Sequence, residues 1–134
     1  MLENVRKRMG REEGFTLIEL LVVMLILGIL AAIAIPSFLN QRSKAQDSDA
    51  KANARTAQTA METCATENDG SYTPCDEDAL VVIEPTLGDA VTGGLTAVPA
   101  AGGDGYVVTS PSDSGDDFTI TRSAPGNITY SANW

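Results

Sequence analysis

The chain has 134 residues, with 9 Lys and Arg against 18 Asp and Glu, no histidine, and a net charge of −9 at pH 7. That length allows one small domain plus a membrane helix. The acidity argues against nucleic-acid binding, which rests on basic patches, and the lack of histidine removes the commonest general base and metal ligand. No serine-centred elbow, phosphate-binding loop or metal-type cysteine spacing is present. The sequence therefore predicts no enzyme and no catalytic residues.

Residues 1–14 carry Arg6, Lys7, Arg8 and Arg11 against Glu3, Glu12 and Glu13. The 21 residues from Phe15 to Ile35 are apolar apart from Thr16, Glu19 and Gly28. As a helix they would reach about 31 Å, close to the hydrocarbon core of a bilayer. A basic stretch before an apolar span favours a cytoplasmic N-terminus. Glu19 stands out, because an acid at membrane depth is costly and usually functional. An ordinary signal anchor, or a secretory signal cut after Ala32-Ile33-Ala34, would also fit the apolar run. Neither needs Gly14-Phe15, and Glu19 would be odd in a secretory signal.

The string Gly14-Phe15-Thr16-Leu17-Ile18-Glu19, with its basic leader and long apolar run, resembles the class III signal of type IV pilins and the pseudopilins of type II secretion. The resemblance covers residues 1 to about 40 strongly and the following helix more loosely. It implies that a prepilin peptidase cuts between Gly14 and Phe15 and methylates the new amine of Phe15. It implies that subunits then leave the membrane, through the pilus assembly platform and its ATPase, and join by their N-terminal helices into a helical filament. Removal of the leader leaves five basic and fifteen acidic residues, a net charge of −10. The mature basic residues lie mostly on the helix and the acids crowd the distal part, so a head-against-stem attraction between neighbours is one reading and a solvated acidic surface another. Under the resemblance Glu19 is an assembly residue. The cationic amine of Phe15 from a neighbour would compensate its charge at low dielectric.

Pro36 lacks an N–H and clashes with the carbonyl of Ala32, so a kink or local melting is expected there; alternatively the membrane helix ends. Helix-like sequence resumes at once. Ala50, Ala54, Ala57, Met61 and Cys64 recur at helical spacing and predict a core stripe, with Asp49, Lys51, Arg55 and Glu62 on the solvated face. The helix should end near Asn68-Asp69-Gly70, with Gly70 in the left-handed cap position. Unbroken from Thr16 it would be ~80 Å long, more than a core of this size can bury. Cys64 and Cys75 would lie outside the cytoplasm under the resemblance, which makes a disulfide the default over two free thiols.

Beyond the helix the sequence predicts strands at 79–84, 106–110, 118–122 and 128–131, a loop over 86–105, and a type II turn at 124–127 with Pro125 and Gly126 in its centre. The last three strands would form an antiparallel meander. Tyr106, Phe118, Tyr130 and Trp134 should supply most of the large apolar burial. Asp104, Asp113, Asp116 and Asp117 are weak candidates for a calcium site, without EF-hand spacing; no other cofactor is expected. Asn127-Ile128-Thr129 matches a glycosylation triplet and carries no weight.

The predicted class is α+β: a long N-terminal helix with a small antiparallel sheet packed on its C-terminal half, the pilin fold. Its segments are a leader (1–14), a membrane and polymerisation helix (15–36), an amphipathic continuation (37–69) and a globular head (70–134). The expected function is a structural subunit, a major pilin, of a type IV pilus serving adhesion, motility or DNA uptake. The alternatives are a type II secretion pseudopilin and a membrane-anchored binding module that never polymerises. The expected location is the inner membrane before assembly and the extracellular pilus afterwards.

Overall fold

The computed structural model describes residues 14–131, 133 and 134; the predicted leader up to residue 13 lies outside the described residues. The chain divides into two units, Met1–Leu39 and Asn40–Trp134. Helix α1, Leu17–Glu67, contributes to both. It is not melted at Pro36, which lies inside the helix. Proline removes one hydrogen bond there, and the Ala-, Gln- and Lys-rich sequence that follows has strong helical preference.

In the first unit the large apolar side chains from Leu17 to Leu39 are all exposed, and an 18-residue window of this helix has a mean hydropathy of 3.0 with none of its residues buried. Such a surface is costly in water and fits a bilayer or other copies of the helix.

In the second unit α1 presents the expected stripe. Ala50, Ala54, Ala57, Met61 and Cys64 are buried, joined by Ala60 and Ala65. The helix ends where Asp69 and Gly70 take left-handed backbone angles, φ 55° and 87°, and the Gly70 N–H donates to the Ala65 carbonyl. A disulfide joins Cys64 on the last turn to Cys75.

The segment 79–84 is not a strand. Helix α2 spans Glu77–Ile83. The Asp76 carboxylate accepts from the Ala79 N–H at 3.0 Å, and Glu77 and Asp78 occupy the first turn, where the helix dipole favours acids. These terms outweigh the β preference of Val81, Val82 and Ile83. Nor is 86–105 one long loop. It holds a 3-10 turn (Pro85–Leu87), helix α3 (Gly88–Thr92) and strand β1 (Thr96–Pro99). Leu87, Leu95 and Ala97 from this segment enter the core. Glu77 on α2 accepts from the Ala97 N–H at 2.9 Å, which ties β1 to α2.

Strands β2 (Tyr106–Pro111), β3 (Asp117–Ser123) and β4 (Asn127–Tyr130) follow. The sheet is an antiparallel meander in the order β1-β2-β3-β4, one strand more than predicted. Its inner face carries Tyr106, Val108 and Ser110 opposite Arg122, Ile120 and Phe118. The β3–β4 turn contains a cis Ala124–Pro125 bond, and the Gly126 N–H donates to the Ser123 carbonyl. Ala124 and Pro125 are therefore its central residues, in place of the expected Pro125 and Gly126. Tyr106 and Phe118 are buried as expected, together with Tyr72. Tyr130 is half exposed and packs its ring against Trp134 instead of entering the core.

Candidate functional site

Gly14, Phe15 and Thr16 precede the first turn of α1. Thr16 and Glu19 form a reciprocal cap. The Glu19 carboxylate accepts from the Thr16 N–H at 2.8 Å and from the Thr16 hydroxyl at 2.9 Å. The Thr16 hydroxyl in turn accepts from the Glu19 N–H at 3.2 Å. This is a capping box, which satisfies donors left open at a helix start. The Thr-x-x-Glu pattern of residues 16–19 is the sequence signature of this cap. Phe15 is 91% exposed. A Cβ built on Gly14 would meet no atom within 4 Å, so local packing gives no reason for a glycine there.

A second cluster was missed altogether. Glu62, expected on the solvated face, is half-buried and accepts three hydrogen bonds. Tyr72 donates at 2.7 Å, Tyr106 at 2.9 Å and the Arg122 guanidinium at 2.7 Å. The cause lies in strand periodicity. Phe118, Ile120 and Arg122 share one face of β3, so a cation is turned inward and needs a carboxylate. The Tyr72 and Tyr106 rings meet edge to face at 5.0 Å, and the guanidinium lies over the Tyr72 ring. Burial, reinforced by the bond to Glu62, pushes the Tyr72 hydroxyl up to about 12 and raises Tyr106 as well. The Arg122 Nε is buried without a partner. Glu62 and Arg122 line an open cleft of about 420 Å³ with Asp104 and Gly126. The cluster joins helix to sheet.

At the other end of the sheet the β2–β3 turn is tied to the helix. Ser112 and Ser114 both donate to the Asp47 carboxylate. These bonds hold Asp47 below the usual carboxylate range, with a smaller contribution from Lys51.

The four calcium candidates do not form one site. Asp104 lies in the β1–β2 connection, whereas Asp113 and Asp116 lie in the β2–β3 turn and Asp117 opens β3. The six-residue strand β2 separates the two groups by roughly 17–20 Å. Among the described residues no three acidic or cysteine side chains converge as a metal ion would need.

The family described as the prokaryotic N-terminal methylation motif matches residues 9–35. The type IV major pilin protein PilA of Myxococcus xanthus is 48% identical over 59 residues, 44% of this chain and 27% of that protein. The type IV narrow pilus major component PilA5 of Thermus thermophilus is 36% identical over 112 residues, 84% of this chain and 89% of that protein. The type II secretion system core protein G of Vibrio cholerae is 31% identical over 127 residues, 90% of this chain and 86% of that protein. No solved structure matches the chain. An N-terminal methylation motif, an exposed apolar helix, an α+β head and relatives aligned along most of the chain agree: the chain belongs to the type IV pilin and type II secretion pseudopilin family.

Proposed function

We propose that this chain is the repeating structural subunit of a type IV pilus, made as a membrane-anchored prepilin and polymerised through its N-terminal helix. The observation that carries this is the apolar half of α1. Its large side chains from Leu17 to Leu39 are exposed, and Glu19 lies in its first turn. A bilayer can cover that surface before assembly, with the N-terminus cytoplasmic, and neighbouring helices can cover it afterwards. The prepilin peptidase would cut between Gly14 and Phe15 and methylate Phe15. Glu19 would then set the axial register against the Phe15 amine of a neighbour. In that step the carboxylate leaves, or shares, its bonds to Thr16. The relatives named as pilus components support the reading, and their structural roles agree with a subunit that does no catalysis.

A second reading is a pseudopilin of a type II secretion system, which the alignment with core protein G over 90% of the chain favours. Mass spectrometry on fibres sheared from the native cells separates the two. An abundant chain beginning at Phe15 with one added methyl group is expected for a pilus subunit. The same N-terminus confined to membranes would favour the pseudopilin. An intact leader, or a start after Ala34, would remove both.

A further inference from the structure

The unit Asn40–Trp134 carries five basic and fourteen acidic residues, and copies brought side by side repel unless charges are arranged between them. Its helix has two flanks of opposite character. Lys44, Lys51 and Arg55 are spaced seven and four residues apart and share one side of α1. Lys44 and Arg55 are exposed, and among the described residues none of the three forms an ion pair. The Lys51 ammonium and the Arg55 guanidinium lie over the Phe118 and Trp134 rings, at 4.8 and 5.3 Å from the ring centres, which holds both on that side. The acids of this flank are engaged within the chain, Asp47 by two serines and Glu62 by Arg122 and two tyrosines.

Gln46, Asp49 and Asn53 lie on the opposite flank, about 180° around the helix at about 100° per residue. With Asp89 on α3 and Ser112 and Asp113 at the β2–β3 turn they line an open cleft of about 280 Å³. Asp49, Asp89 and Asp113 are exposed, without an ion pair among the described residues. They line the cleft without converging on a point that would suit a metal ion. Arg42 is the one cation on this side of the helix, seven residues and about 10 Å before Asp49.

We infer that these flanks are the two halves of one head-to-tail contact between copies of this chain, in which Lys44, Lys51 and Arg55 of one copy face the Asp49–Asp89–Asp113 cleft of the next. The occupant is a second copy because the cationic and anionic surfaces are complementary and belong to the same unit. The contact is heterologous because they lie on opposite sides of the helix. Each copy keeps one unused half after docking, so the contact can repeat from copy to copy, and along the proposed filament it gives an open polymer, where the rotation between copies does not close a ring. Single exposed pairs are weak; the effect comes from their repetition along the polymer and from the repulsion that a reversed charge meets. The inference rests on the proposed polymerisation and adds its lateral specificity.

The test uses charge reversal in the full chain, expressed in the native cells. The basic-side variant is Lys44→Glu, the acidic-side variant is Asp89→Lys with Asp113→Lys, and the third combines all three. Lys44→Arg is the conservative control. Mature chain in the membrane fraction reports folding and processing, and sheared material reports assembly. Each one-sided variant should reduce sheared filament at least fivefold with the membrane pool at the parental level. The combined variant should return to within twofold of the parent, and Lys44→Arg should match it. Parental filament levels from the one-sided variants, or a combined variant no better than either, would overturn the inference. A parent that yields no sheared filament would count against the pilus reading itself. Carbodiimide cross-linking of its membrane fraction would then decide the contact. Multimers present in the parent and the combined variant but lost in the one-sided variants support it; equal multimers in all overturn it.

Discussion

Residue-scale chemistry in the head concentrates on Glu62. It answers three donors, and loss of its charge leaves Arg122 inward-facing with a weaker partner. Glu62→Gln should lower stability by about 1–2 kcal/mol, reduced from a buried-pair value because both side chains keep partial contact with water. Urea unfolding of the full chain in detergent measures it. Gly105 is a second sensitive position. A Cβ there would run into the Arg122 carbonyl oxygen, which is backbone and cannot swing aside. Gly105→Ala should therefore cost about 1–3 kcal/mol in the same assay. The tyrosines give a pH dependence of definite sign. Tyr72, pushed up to about 12, and Tyr106, also raised, bind their protons more tightly folded than unfolded. Their contribution is complete below the unfolded value near 10 and fades as pH rises through the folded values. The melting temperature should fall from pH 10 to 12, and Tyr72→Phe combined with Tyr106→Phe should flatten that fall. None of this was legible as a cluster. The partners lie 10, 44 and 60 residues from Glu62; strand register sets Tyr106 opposite Arg122, and the segment after α1 brings in Tyr72, whose N–H donates to the Gly103 carbonyl.

The elements were legible in proportion to the length of their pattern. Helix α1 has many turns of consistent spacing, and the five stripe positions that the spacing predicts are all buried, with Ala60 and Ala65 in addition. Helix α2 has seven residues, too few for periodicity, so the cap at Asp76 decides against a β-branched run that reads as strand. Strand β1 hides in a segment rich in Gly, Ala and Pro, and becomes a strand because β2 offers an edge and Glu77 holds its N–H. The Cys64–Cys75 bond links the end of α1 to the segment leading into α2. The cysteines are 11 positions apart, and a loop of that size should contribute about 3 kcal/mol on the chain-entropy model. Cys64→Ser with Cys75→Ser should lower stability by about that amount while leaving the helical circular-dichroism signal near the parental value. An unchanged unfolding midpoint would show that packing alone secures this junction.

For the whole molecule, the large apolar side chains of α1 from Leu17 to Leu39 are exposed, and under the proposed function a bilayer and then neighbouring helices cover them. Glu19 tests the division of labour. Its carboxylate closes a capping box with Thr16, yet the proposed cleavage point, between Gly14 and Phe15, lies before that box. Glu19→Ala should leave the mature N-terminus at Phe15 largely intact by mass spectrometry, and reduce sheared filament severely. Filament at the parental level would show that Glu19 serves only as a helix cap.

Local properties were determined by the sequence itself: an apolar run long enough to cross a bilayer, an acid within it, a helical stripe of small residues, two cysteines near one helix end. Each follows from spacing along one segment, where side-chain direction is set by the 3.6-residue period. The tertiary structure alone decided which exposed-looking charges are structural. Glu62 reads as a solvated helix acid but meets an inward arginine and two tyrosines, and Asp47, unremarkable in the sequence, meets two serines of a distant turn. The two opposed flanks of α1 likewise emerge only when α3 and the β2–β3 turn supply their acids beside Asp49. Charges distant in sequence act together only after strand register and packing bring them within a few ångströms, and no local pattern encodes that approach.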